Sequence, residues 1–176
     1  ILIMKTIPTF LLAACFIGSQ AKAQQEANPM LANAQTFIDV PYVAHTLETD
    51  GEEDLVINCD EVDCTTFVEY VLALSLPSAS GNKMSESDFA ANLQRIRYRE
   101  GKIDGYTSRL HYTSDWINNG VRGGFMEDVT AANSPYTQKL SLSYMSSHPE
   151  LYKHLSNSPE NVTKMAEYEK ALSGQE

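Results

Sequence analysis

The sequence predicts an α+β fold: a helical N-terminal part with a cysteine at a helix N-terminus, followed by short strands. Three observations lead there. After Cys64, apolar residues recur at Phe67, Val68, Val71, Leu72 and Leu74, close to the i, i+3, i+4, i+7 spacing of one helical face. Ser85 with Asp88 three residues on resembles a capping box and opens a second such face at Phe89, Leu93 and Ile96. Beyond Gly123-Gly124, residues 125–130 and 139–144 read as strands.

Taken in order, Met4-Lys5, the apolar run from Phe10 to Gly18 and the A-x-A site Ala21-Lys22-Ala23 read as a secretory signal peptide over residues 1–23, with Ile1 to Ile3 as translated upstream sequence. Leu12-Ala13-Ala14-Cys15 also resembles a lipoprotein box that would anchor the chain through Cys15. The run before it is short and apolar residues continue past it, so cleavage after Ala23 is the favoured reading. The product, 24–176, is expected to be exported to the periplasm, with no integral membrane segment. Losing Lys5 and Lys22 from 13 basic residues leaves 11 against 23 acidic ones, a formal −12. Such a surface repels nucleic acid and anionic membrane. A chain of 176 residues at 43% hydrophobic content can bury a core, so one globular domain is the default and disorder is disfavoured.

Pro29 starts a helix that runs through Phe37 and Ile38 and ends before Pro41. Residues 48–54 form an acidic turn and Leu55-Val56-Ile57 a short extended run. The helix of Cys64 follows, capped by Asp63, and stops near Pro77. Its apolar spacing points Cys64 toward the core, and a thiol in a first turn feels the positive end of the helix dipole, which favours thiolate over thiol. A nucleophile and a buried structural cysteine remain equal readings at this point. Cys59 is the other cysteine of the mature chain; a bridge to it would silence the thiol, and the sequence leaves that pairing open. Neither C-x-x-C nor a zinc spacing occurs, and no metal or cofactor is expected.

Arg95, Arg97, Arg99, Lys102 and Arg109 then concentrate five of the 11 mature basic residues among Tyr98, Tyr106, His111, Tyr112 and Trp116. They suggest a pocket that grips carboxylates and packs sugar or peptide against rings, or else charges that solvate a helix end and loop. After the strands, short helices open at Ser147/Pro149 and Ser158/Pro159.

Pro41-Tyr42, Asp63-Cys64-Thr65-Thr66-Phe67-Val68-Glu69, Arg97-Tyr98-Arg99-Glu100-Gly101, and Tyr106-Thr107-Ser108-Arg109-Leu110-His111-Tyr112 with Ser114-Asp115-Trp116 together resemble the N-acetylmuramoyl-L-alanine amidase-like (DUF1460) family. That family looks like a branch of the papain-like NlpC/P60 cell-wall hydrolases, and the resemblance runs from about Ala34 to the C-terminus. It implies cysteine-dependent cleavage of the amide joining muramic acid to L-alanine in peptidoglycan fragments. Cys64 would be the nucleophile and Tyr42 would help stabilise the oxyanion, while Arg109 and His111 would recognise substrate. The family's catalytic histidine lies on a downstream strand that no segment here matches; His45, His111, His148 and His154 all sit elsewhere. The resemblance therefore implies a partial domain without its general base or catalytic sheet, inactive by itself. A stem-peptide cysteine endopeptidase and a non-catalytic muropeptide-binding module are the alternatives.

Overall fold

The computed structural model describes residues 28–78, 81 and 83–174, so the leader with Cys15 and Ala23 lies outside the described residues. The chain divides into two compact units, residues 1–96 and 97–176. Among the described residues the architecture is helical: there is no strand, and the β pairing consists of two isolated bridges.

In the first unit, α1 (Pro29–Gln35) begins with Pro29 at its first helical position, and the Asn28 side chain accepts from the Met30 N–H at 3.0 Å. A parallel bridge follows between Tyr42 and Val62, in which the Val43 N–H donates to the Val62 carbonyl at 3.0 Å and the Val62 N–H to the Pro41 carbonyl at 3.1 Å. Leu55-Val56-Ile57 joins no ladder, although Leu55 is buried. The helix α2 (Cys64–Ser75) stops as Leu76 turns extended ahead of Pro77, and α3 (Glu86–Arg97) opens on the Ser85/Asp88 capping box, with both reciprocal bonds at 3.1 Å.

Tyr70 fixes the rotation of α2. Its fully buried ring stacks on Phe37 at 6.1 Å and meets Phe89 at 6.0 Å, while its hydroxyl accepts from the Asn58 N–H at 3.0 Å. The inward side of α2 therefore carries Thr66, Glu69, Tyr70, Val71 and Ala73. Cys64, expected to face the core, is instead exposed, and Val68 one turn later is 42% exposed. An aromatic cluster outweighs the count of aliphatic side chains, so the helix is turned away from the rotation that the apolar pattern suggested.

In the second unit, 3-10 turns at Arg99–Gly101 and Tyr106–Ser108 flank an antiparallel bridge between Tyr98 and Arg109. Then come α4 (Thr113–Arg122), α5 (Thr130–Asn133), α6 (Tyr144–Ser147), a 3-10 turn at Pro149–Leu151, α7 (Lys153–Ser156) and α8 (Pro159–Leu172). The 14-residue α8 is long rather than short, and opens as read, with Ser158 accepting from the Asn161 N–H at 3.2 Å. Tyr106, Met145, Leu155 and Met165 form the core, with Tyr112, Tyr152 and Val162 packed against it.

The two strands read over 125–130 and 139–144 do not form. The N–H groups of Phe125 and Met126 both donate to the Gly120 carbonyl, at 3.2 and 3.3 Å, which folds the first segment back on α4. Gly120 makes room for this approach, since a Cβ there would lie 2.1 Å from the Met126 sulfur. The second segment gives its polar groups to the end of α8: Leu140 accepts from the Gly174 N–H and the Leu142 N–H donates to the Ser173 hydroxyl, each at 2.9 Å. Each segment thus directs backbone groups to a helix end instead of to a ladder.

Candidate active site

At the start of α2, Asp63 is the N-cap, and its Oδ1 accepts from the N–H groups of Thr65 at 3.0 Å and Thr66 at 2.8 Å. The Asp63 N–H in turn donates to the Thr66 hydroxyl at 2.8 Å, completing a capping box. The reciprocal half was legible as a threonine three residues after the cap. With those two first-turn amides engaged, the Cys64 N–H has no partner among the described residues, and the Cys64 side chain is exposed.

The Tyr42–Val62 bridge fastens Tyr42 two residues from Cys64 across the pairing, with its side chain 69% exposed. Cys64 and Tyr42 are both open to solvent. The Thr65 hydroxyl lies 4.0 Å from the Cys64 sulfur, a neighbour that pattern reading did not single out. Cys59 and Cys64 are not joined by a disulfide.

In the second unit, Arg109 and His111 gather around Tyr106. The Arg109 side chain is buried, its guanidinium 5.1 Å from the Tyr106 ring centre. The His111 ring lies 4.5 Å from the same ring, and its Nε2, facing the Tyr106 carbonyl at 3.1 Å, must carry the proton and donate it. His154 stacks on Tyr106 at 5.0 Å. The basic stretch is thus largely drawn inward. Arg97 is buried as well, and Arg99 holds Asp115 at 2.6 Å while lying 3.7 Å over the Tyr168 ring. Among the described residues no group of three or more His, Cys, Asp or Glu side chains could hold a metal ion, and no helix is long and apolar enough to cross a membrane.

Burial above all, then the Arg109 charge, with smaller contributions from Arg99 and His154, lowers the His111 pKa from 6.5 to about 3, against an opposing hydrogen bond to Tyr106. A histidine held neutral in the folded state costs stability once the unfolded chain can take up the proton. Stability is therefore expected to be level above pH 6.5, to fall as the pH drops toward 3, and to flatten below that. The loss is on the order of 3 kcal/mol. Urea unfolding of the wild type and His111→Gln at pH 7 and pH 4 checks this: the wild type should lose more on acidification, and equal losses would reject it.

A family model described as N-acetylmuramoyl-L-alanine amidase-like matches residues 32–174. Among solved structures, an N-acetylmuramoyl-L-alanine amidase from Bacteroides uniformis is 69% identical with a TM-score of 0.79, over 84% of this chain and 61% of that one. A protein from Bacteroides fragilis, to which xylanase activity is provisionally attributed, is 72% identical with a TM-score of 0.77, over 82% of this chain and 62% of that one. The chain thus spans less than two thirds of the length of either structure. No curated protein matches.

Proposed function

The chain belongs to the N-acetylmuramoyl-L-alanine amidase-like family, and from that membership we propose a cysteine-dependent hydrolase that cleaves the amide between muramic acid and L-alanine in peptidoglycan fragments. The reading takes the fold as papain-like, of the NlpC/P60 kind. Cys64 attacks the lactyl carbonyl, forming a carbon–sulfur bond as the carbonyl electron pair moves to oxygen. The oxyanion is received by the Cys64 N–H and the Tyr42 hydroxyl. Collapse breaks the carbon–nitrogen bond as the histidine base that took the thiol proton gives it to the departing amino group of L-alanine, and water then splits the thioester into the lactyl carboxylate and the restored thiol.

The observation that carries this reading is the start of α2: an exposed sulfur in the first turn of a helix capped by Asp63, with Tyr42 bridged to Val62 two residues before the cysteine. His111 does not suit the role of proton acceptor. Its Nε2 is committed to Tyr106, and a ring with a pKa of about 3 is a weak base at neutral pH. The base is therefore assigned to another histidine, outside the described site. Arg109 enters as the group that would hold a substrate carboxylate, with His111 beside it, which requires substrate to reach a guanidinium now packed on Tyr106. The protein is assigned to the periplasm, after cleavage behind Ala23 or with a lipid on Cys15.

Mass analysis after incubation with N-acetylmuramoyl-L-alanyl peptides tests the proposal. Free N-acetylmuramic acid together with a peptide that begins at L-alanine is the expected outcome when a segment that supplies the histidine base is joined to the chain, and residues 24–176 alone are expected to be inactive. Cleavage inside the stem peptide would replace it with the endopeptidase reading. Binding without cleavage, weakened by Arg109→Ala and indifferent to Cys64→Ala, would replace it with a binding module. Shortening of xylan oligosaccharides would overturn it.

A further inference from the structure

Tyr136 and Tyr144 are exposed aromatic side chains of the second unit, at 86% and 54%, and of the two Tyr144 is braced. Its ring stacks on His148 with centres 4.4 Å apart and planes 25° from parallel. The His148 ring is itself fixed, because its Nδ1 and its backbone N–H both donate to the Tyr144 carbonyl, at 2.9 and 3.0 Å. With Nδ1 as the donor, the neutral ring presents Nε2 as an acceptor, and that nitrogen has no partner among the described residues. The backbone beneath is held as well, since the Met145 and Ser146 N–H groups are already committed to the Glu169 carboxylate. Half-buried Tyr152 belongs to the same surroundings: burial first, then the Tyr144 phenol and the Glu169 carboxylate, raises its pKa. Among the described residues the hydroxyls of Tyr144 and Tyr152 have no hydrogen-bond partner.

We propose that Tyr144, His148 and Tyr152 form a carbohydrate-binding platform on the second unit, one that takes an N-acetylated amino sugar of the peptidoglycan glycan. The choice of peptidoglycan rests on the function proposed above; the platform itself does not. A pyranose has a face of C–H bonds that packs on an aromatic ring, and hydroxyls around its edge that pair with phenols. Its acetamido group adds an N–H donor and a carbonyl acceptor, the complements of His148 Nε2 and a phenolic O–H. A ring held in place before binding has little freedom left to lose when the sugar arrives. The sugar it suits is uncharged, because the Glu169 carboxylate acts on the Tyr152 phenol in a chain of formal charge −10, and both disfavour an anion. A partner protein would call for a run of aliphatic side chains, whereas the groups left open here are two hydroxyls and a ring nitrogen.

Binding needs no turnover, so the purified chain can be titrated with the trisaccharide of N-acetylglucosamine and followed by nuclear magnetic resonance. The signals of Tyr144, His148 and Tyr152 should shift with the sugar. Tyr144→Ala, which removes the stacking face, should weaken binding about tenfold. Tyr144→Phe keeps the ring and should cost about twofold to threefold, as should His148→Ala, which takes away the brace and the open nitrogen. Tyr136→Ala should change nothing, and xylotriose, which lacks the acetamido group, should bind at least about threefold more weakly. A trisaccharide that does not bind, or that binds equally to wild type and Tyr144→Ala, overturns the platform. Equal binding of xylotriose, or shifts at these three residues caused by a free stem peptide instead, overturns the assignment to an N-acetylated sugar. Cleavage of the muramoyl–L-alanine amide by the base-supplied protein would stand through any of these failures, whereas a protein that binds the trisaccharide at Tyr144 and cleaves no such amide keeps the platform and loses the amidase reading.

Discussion

In a protein that also supplies the histidine base, replacing Cys64 with alanine is expected to reduce hydrolysis of the muramoyl–L-alanine amide by on the order of a thousandfold or more, because removing the nucleophile from a covalent mechanism leaves only binding and oxyanion stabilisation. The folded state should be indifferent to the change, since the sulfur is exposed and fills no space in the core. Lost chemistry with an unmoved urea midpoint separates a catalytic thiol from a packing one. A second readout needs no turnover. An electrophile built on the muramoyl group, with a chloromethyl ketone in place of the scissile amide, should label Cys64 in preference to Cys59, which serves as an internal control. Equal labelling of the two cysteines, or hydrolysis that survives Cys64→Ala, would remove the thiol from the mechanism.

The parts of this site legible in the sequence are those decided within a few residues of chain. Asp63 as a cap, the Ser85/Asp88 box and Ser158 ahead of Pro159 each obey rules about a backbone N–H and a side chain three positions away, and each appears where it was read. What failed depends on partners distant in sequence. The rotation of α2 is set by Phe37 and Phe89 closing on Tyr70, and it places polar Thr66 and Glu69 inward while exposing Val68. No local period encodes that. The same holds for the arginines: a basic, aromatic stretch reads as surface or pocket, yet Arg97 and Arg109 are buried and Arg109 lies against Tyr106. Extended propensity over 139–144 was real, but the groups that satisfy it sit at the end of a helix some thirty residues on.

Replacing Glu169 with alanine is expected to be the most damaging single change in the second unit, at about 3 to 5 kcal/mol. Glu169 projects from α8 and is 1% exposed. Its carboxylate accepts from the Tyr112 hydroxyl at 2.6 Å, the Met145 N–H at 2.9 Å and the Ser146 N–H at 3.2 Å, and also from the Ser146 hydroxyl. The four-residue α6 has no side-chain cap of its own at Ser143, so two of its first-turn donors depend on a residue from another helix. A negative charge at that end also suits the helix dipole. Tyr112 responds to the same enclosure: burial, with the bond to Glu169 next in weight, pushes its pKa up to about 12.

Glu169→Gln keeps the shape and some acceptor capacity, so it should cost less than alanine, while Tyr112→Phe removes the bond to Glu169 and the one the hydroxyl accepts from the Met145 N–H at 3.1 Å, and should cost about 1 to 2 kcal/mol. Urea unfolding orders the three variants. Amide hydrogen exchange at Ser146 should accelerate in Glu169→Ala well before global unfolding, because that N–H loses its acceptor, and exchange at Met145 should accelerate less, because its N–H keeps the Tyr112 hydroxyl at 3.1 Å. A Glu169→Ala protein within 1 kcal/mol of wild type, with those two amides still protected, would mean that α6 stands on the packing of Met145 alone, a different account of how this unit holds together.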